Sequence, residues 1–215
     1  MSESVKLAPR TALGGPFGVA SPILDLRSET VSLVERADLG SVLLSTAIDM
    51  DSGTREALGK AGVQVPEQSG AVTRHRSGTA IWLSPRSWLI QCPAIEGADL
   101  ARSISSLAPS KLLHAVCFTD ALCWIELSGS GAADLLSEGG FLSLERGGIQ
   151  VGFAKRTLIA QINVIVVRES LTMWLLGVER SRASYFLEWL CVVSGAAVNQ
   201  RSEWRPNSST AARST

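Results

Sequence analysis

The sequence predicts an α+β fold in which helices lie on one side of antiparallel sheets. Two observations carry this. Short apolar strands alternate with amphipathic helices but without strict strand–helix–strand spacing, and the order of elements in the first half is repeated in the second. With 215 residues the chain can bury one core of ordinary size or two small lobes.

Residues 1–28 are expected to form an extended N-terminal arm, because Gly14, Gly15, Pro16, Gly18 and Pro22 break any regular period. A first α+β lobe is expected over 29–110. It opens with strands at Val31–Arg36 and Ser41–Ala47, separated by Asp38-Leu39-Gly40. Asp51 or Ser52 can cap a helix running through Ala57, Leu58 and Ala61, and Gly62 stops it in the left-handed position that glycine tolerates. Strands at Thr79–Leu83 and Trp88–Cys92 flank the turn Ser84-Pro85-Arg86, and a second helix puts Leu100, Ile104 and Leu107 on one face.

A second α+β lobe is expected over 111–196. His114–Leu127 reads as strand, broken near Asp120, followed by the turn Ser128-Gly129-Ser130-Gly131 and a short helix through Leu135 and Leu136. Leu158–Val167 reads as one long apolar strand, and Met173–Val178 as the next. The last helix starts at Ser181 or Ser184 and carries two adjacent stripes, Tyr185/Trp189/Val192 and Phe186/Leu190/Val193, a wide buried face that ends at Gly195. The polar run 197–215 is expected to be disordered. The whole reads as two ferredoxin-like lobes.

Composition excludes some functions. Charged residues make up 19% and the formal net charge is zero, so the basic excess of a nucleic-acid binder is missing. Few charges also suit a surface partly covered by partners. The run Leu158–Val167 is too short to cross a bilayer and is interrupted by Gln161 and Asn163. Met1-Ser2-Glu3-Ser4 does not begin a secretory signal, so a soluble cytoplasmic protein is expected. Cys92, Cys117, Cys123 and Cys191 sit in apolar stretches and read as buried free thiols.

Motifs that could carry chemistry are sparse. Gly129-Ser130-Gly131-Ala132-Ala133-Asp134 joins a strand to a helix as a dinucleotide fingerprint does. Asp134 stands where glycine or alanine is needed, and its charge would repel a pyrophosphate. His114, Cys117 and Cys123 lack the paired spacing of a zinc site, so no metal ligand is expected. No pair of carboxylates has the spacing for acid–base work, and no catalytic residue is expected. Arg74-His75-Arg76, with Arg86 beyond it, is the one basic cluster. It could hold a phosphate or carboxylate, but a solvated hairpin loop is the favoured reading. Trp82, Trp88, Trp174 and Trp189 read as core, and any exposed member as an interface anchor.

Three blocks carry a family resemblance. Leu83-Ser84-Pro85-Arg86-Ser87-Trp88-Leu89-Ile90 is similar to the "LGPDEWLL" block of the gamma subunit of heterotetrameric sarcosine oxidase. Ser128 to Leu136 resembles that family's "SGPxAxxLL" turn and helix, and Trp174 to Ser181 resembles its last strand, with the closing helix at Tyr185–Leu190. The likeness spans about residues 28 to 195. It implies a fold related to the folate-binding part of the glycine-cleavage aminomethyltransferase (T-protein), without the C-terminal β-barrel. It also implies an accessory subunit of a complex that demethylates sarcosine to glycine, packed mainly on a large alpha subunit, with beta and delta subunits beside it. FAD, FMN, NAD and tetrahydrofolate would sit on the partner subunits, zinc on the small one, and no cofactor on this chain. The sequence departs from the family block at Ser84, Arg86 and Ser87, which leaves open a related N-methyl amino acid dehydrogenase. The rival reading is an independent folate- or pterin-binding module, with Arg74, Arg76 or Arg180 pairing the ligand's carboxylates.

Overall fold

A computed structural model of the chain describes residues 10–26, 30–75, 78–107, 113–140 and 148–195. The tail 197–215, expected to be disordered, lies outside them. The strands are β1 (Ala20–Leu26), β2 (Val31–Arg36), β3 (Leu39–Thr46), β4 (Val72–His75), β5 (Gly78–Ser84), β6 (Ser87–Pro93), β7 (Leu113–Cys117), β8 (Leu122–Ser128), β9 (Ala154–Ile159), β10 (Ile162–Arg168) and β11 (Met173–Glu179). The helices are α1 (Ser52–Lys60), α2 (Gly97–Leu107), α3 (Ala132–Ser137) and α4 (Ala183–Val193). No helix among the described residues is long and apolar enough to cross a membrane.

The strands form two antiparallel sheets, β1-β2-β8-β11-β10-β9 and β4-β5-β6-β3-β7, with no closed barrel among the described residues. In the five-stranded sheet, β3-α1-β5-β6-α2-β7 is a ferredoxin-like unit with spatial order β7-β3-β6-β5, and β4 is added at its edge. The six-stranded sheet repeats that order as β2-β8-β11-β10, except that its outer strand comes from upstream. The boundary expected at 110/111 therefore does not separate the sheets. β2 lies with the second-half strands, and β7 with the first-half ones.

Four layers result. Helices α1 and α2 cover the outer face of the five-stranded sheet around Val42, Leu44, Leu58, Trp88, Ile90 and Ile104. Helices α3 and α4 cover the outer face of the six-stranded sheet around Leu33, Ile125, Leu136, Val166, Trp174 and Phe186. Between the sheets, Ile81, Leu89, Trp124, Ala154, Val167 and Leu175 form a third core. Sandwiched strands bury both faces, which is why β6 and β11 read as continuous apolar runs rather than alternating ones.

Local signals set several boundaries. The Asp51 carboxylate accepts the Thr54 N–H at 2.6 Å and caps α1, and that bond holds its pKa below the usual carboxylate range. Gly62 follows at φ 79°, as read from sequence.

Four expectations need correction. The arm is not merely extended, since Ala20–Leu26 pairs with β2. Leu158–Val167 is a hairpin rather than one strand, turning at Ala160-Gln161 with φ of 51° and 64°. Such a turn normally requires Asn-Gly, so the sequence hides it. Here Ala160 donates its N–H to Gly139 O at 2.7 Å, and the Tyr185 hydroxyl bonds Ala160 O at 3.3 Å, so tertiary partners hold the turn. Arg74 and His75, expected with Arg76 in a solvated hairpin loop, lie on the short edge strand β4, whereas Arg76 is outside the described residues. In α4 only the stripe with Phe186 and Leu190 is buried, together with Ala183 and Leu187, whereas Tyr185 and Val192 are exposed.

Candidate functional site

The site is built on the layer between the sheets, and Trp124 is its wedge. Its ring is buried in the middle of β8, and its Nε1–H donates to the Ser41 hydroxyl on β3 at 2.9 Å. One strand away, a Cβ on Gly177 would come within 2.7 Å of that ring, so only glycine lets the indole lie flat on β11. To one side of the wedge the sheets meet in the dry core around Ile81, Val167 and Leu175. Beyond it they part around a cleft of about 900 Å³.

The two walls differ. The five-stranded sheet contributes Leu43, Leu83 and Leu89, and Phe118 follows β7. On the facing sheet, register places Arg156 opposite Ile165 and Ile165 opposite Gly177. The period of two then brings Asn163 and Glu179 onto the same face, so this wall carries a cation, an amide and an acid. Arg156 has no hydrogen-bond or ion-pair partner among the described residues.

At the rim Arg180 is held in place. Its Nη1 lies 3.7 Å from Asp120 Oδ1, and its Nη2 donates to Arg10 O at 2.6 Å. The strap containing Arg10 is anchored by Glu35 on β2. That buried carboxylate accepts the Thr11 hydroxyl at 2.9 Å, the Leu13 N–H at 3.3 Å and the Cys123 thiol at 3.7 Å. Thr11 and Ala12 close this side of the cleft. Burial, reinforced by the Glu35 charge, pushes the Cys123 thiol far up, so it is an inert neutral donor.

A smaller pocket of about 370 Å³ lies at the opposite end of the sheets, beside Leu39, Thr79 and Gln91. Nearby, Arg36 forks onto Asp38 at 2.8 and 2.9 Å and reaches Glu126 at 2.8 Å. The Arg36 bonds hold the Asp38 carboxyl below the usual range and raise the guanidinium in turn, marking a half-buried structural pair. Glu126, which reads as isolated in an apolar strand, is thus paired.

Of the predicted binding residues that are described, Arg180 alone reaches the cleft. Arg74 sits on β4, exposed and ion-paired with Glu169, and Arg76 lies outside the described residues. Arg86 pairs with Asp49 at 3.1 Å, so neither Arg74 nor Arg86 joins Arg180 at the cleft. The glycine turn is explained by packing. A Cβ on Gly129 would lie 2.0 Å from Thr30 O, and Gly131 already gives its N–H to that oxygen at 3.0 Å. Cys117 is exposed, contrary to the expectation of a buried thiol, because β7 is an edge strand. Cys92 is buried, and that burial pushes its thiol up to about 11. No group of three or more His, Cys, Asp or Glu residues is placed to hold a metal ion among the described residues.

Sequence reasoning missed Arg156 and Asn163. The strand expected from sequence begins only at Leu158, two residues past Arg156, and Asn163 reads there only as an interruption of an apolar run.

Comparison with known proteins fits this geometry. A chain of the heterotetrameric sarcosine oxidase from Corynebacterium sp. U-96 in complex with pyrrole 2-carboxylate superposes with a TM-score of 0.69 and 23% identity, covering 78% of this chain and 85% of that one. The glycine cleavage system aminomethyltransferase T from Bartonella henselae superposes with a TM-score of 0.57 and 12% identity, covering 75% of this chain and 45% of that one. At such identities these likenesses establish the fold: α+β, with two antiparallel sheets carrying helices. A search of curated protein sequences gives no match. The model of the "Sarcosine oxidase, gamma subunit family" matches residues 43–196, from the middle of β3 past the end of α4. With well over half of its length matched, the chain belongs to the sarcosine oxidase gamma subunit family.

Proposed function

We propose that this chain is the gamma subunit of a cytoplasmic heterotetrameric sarcosine oxidase. The complex would oxidatively demethylate sarcosine to glycine, release the one-carbon unit as formaldehyde or methylene-tetrahydrofolate, and pass the electrons to oxygen as hydrogen peroxide. The observation that carries this reading is the family match across both halves of the fold. The chain's role is structural. It packs on the alpha subunit beside beta and delta, while FAD, FMN, NAD, tetrahydrofolate and zinc belong to those partners. Arg180 fits that role, because it is tied to Asp120 and to the Arg10 carbonyl rather than to a nucleophile or base.

Co-expression with candidate alpha, beta and delta subunits tests the reading. The expected outcome is one stoichiometric complex with sarcosine-dependent peroxide production. A chain that stays a monomer and ignores the large subunits would overturn it. Assaying other N-methyl amino acids, with oxygen replaced by an artificial acceptor, separates an oxidase from a related dehydrogenase.

One observation favours a second reading. The structure places Arg180 at the rim of a cleft with one apolar and one polar wall, large enough for a folate or pterin. Titrating tetrahydrofolate against the isolated chain distinguishes the two. Saturable micromolar binding lost in Arg180→Ala would favour a binding module.

A further inference from the structure

Each sheet ends in two edge strands, which carry unpaired N–H and C=O groups that natural proteins usually protect. Among the described residues, three of the four are protected. β1 contains Pro22 and a register irregularity between Pro22 and Leu24. β4 is four residues long and carries Arg74. It is also tied at its start to the beginning of β9, through Val72 N–H to Gly152 O at 3.1 Å and Ala154 N–H to Gly70 O at 2.7 Å. β9 adds the exposed charges Lys155 and Arg156, and a bond from Ala160 N–H to Gly139 O at 2.7 Å just past its far end. The edge strand β7, Leu113-His114-Ala115-Val116-Cys117, has no proline, lysine, arginine or acid, and Val116 is 57% exposed.

The register shows which groups of β7 are open. Phe118 donates its N–H to Ser41 O at 2.7 Å, so that residue and, by alternation, Val116 and His114 point their backbone groups at β3. Those of Ala115 and Cys117 point outward. The Ala115 carbonyl receives only a 3.4 Å contact from the Ser105 hydroxyl, whose single hydrogen serves Ala101 O at 2.8 Å. Val116 stands opposite Leu43, a cleft residue, so the open edge borders the cleft.

We propose that the outer edge of β7 receives an extended strand from a partner subunit, which continues the five-stranded sheet and lays apolar side chains over Val116 into the mouth of the cleft. This rests on the reading of the chain as a subunit of a larger enzyme. Because β7 offers no charge, the incoming strand is uncharged on the face toward Val116. Its side chains there are larger than valine, since the cleft beside it holds about 900 Å³. A second copy of this chain would bring only His114 and Val116 to that face, too small an apolar contribution to fill it.

Hydrogen exchange on the full chain, free and in complex with the alpha subunit, tests this. Both amides should exchange freely in the free chain and slow by about a hundredfold in the complex, as newly paired strand amides do. Ala115→Pro removes an outward donor that has no acceptor among the described residues. It should leave the melting temperature of the free chain unchanged and weaken assembly by about tenfold or more. A complex in which Ala115 and Cys117 stay unprotected overturns the inference while leaving the gamma-subunit reading intact. Protection that grows with the concentration of the chain alone overturns it in favour of self-pairing. If no complex forms with the unaltered chain, the gamma-subunit reading and this inference fall together.

Discussion

The five-stranded sheet takes all its strands from one stretch, residues 39–117, whereas the six-stranded sheet joins residues 20–36 to residues 122–179. Both reach the same four-strand order, one with a local last strand and the other with an imported one. The imported strand pays a larger loop-closure cost, because β2 meets β8 only after some ninety residues of intervening chain have been folded aside. That distance is offset by burial. Leu33 is fully buried among β8 and the helices, and Glu35 bonds the strap of residues 11–13. The lesson is that the second lobe depends on the N-terminal segment, whereas the first is self-contained.

The largest expected effect comes from removing what joins the lobes. Trp124→Ala should cost about 3–5 kcal/mol and turn a single denaturation transition, followed by tryptophan fluorescence and circular dichroism, into two. Retention of one transition would show that the dry core beyond Trp124 suffices to couple the sheets. Next, Leu33→Ala should cost about 2–5 kcal/mol, with hydrogen exchange accelerating in β8 and β11 before β3 and β6. Equal acceleration in both sheets would dissolve the distinction between a dependent and a self-contained lobe.

Gly177→Ala should cost about 1–3 kcal/mol by forcing a methyl group onto the Trp124 ring, and a melting curve reads it. The smallest effect is confined to the five-stranded sheet. The His75 ring nitrogens are buried, and that burial lowers its pKa from 6.5 against a smaller raising effect of the Gly62 backbone. The unfolded chain therefore takes up this proton first. The resulting stability is present above about pH 6.5 and is lost as pH falls through that value toward the lower folded one. Urea midpoints measured from pH 7 to pH 5 should drop in the unaltered chain and drop less in His75→Phe.

Much of this fold could be read from the chain alone. Val31–Arg36 coincides with β2, Asp51 caps α1, and the turn at Ser84-Pro85-Arg86 lies between β5 and β6, because apolar runs and capping residues act over a few positions. Family membership was legible too, since the resembling blocks fall largely within the matched region. The cleft was not. Arg156 and Asn163 sit on separate strands and meet Leu43 and Leu83 only because one sheet stacks on the other. Arg74 and Arg180 are the same residue type in basic surroundings, yet one is exposed on β4 and the other is pinned at the cleft rim.

By itself the sequence determined the elements that depend on neighbours in the chain: most strands, the caps of α1 and the two-lobed α+β class. The tertiary structure alone decided which sheet each strand joined, that Ala160-Gln161 is a turn, and that β7 is an edge of its sheet. The physical reason is range. Periodicity and capping are local, whereas strand partnership, sheet stacking and an edge's exposure depend on residues far apart in the chain.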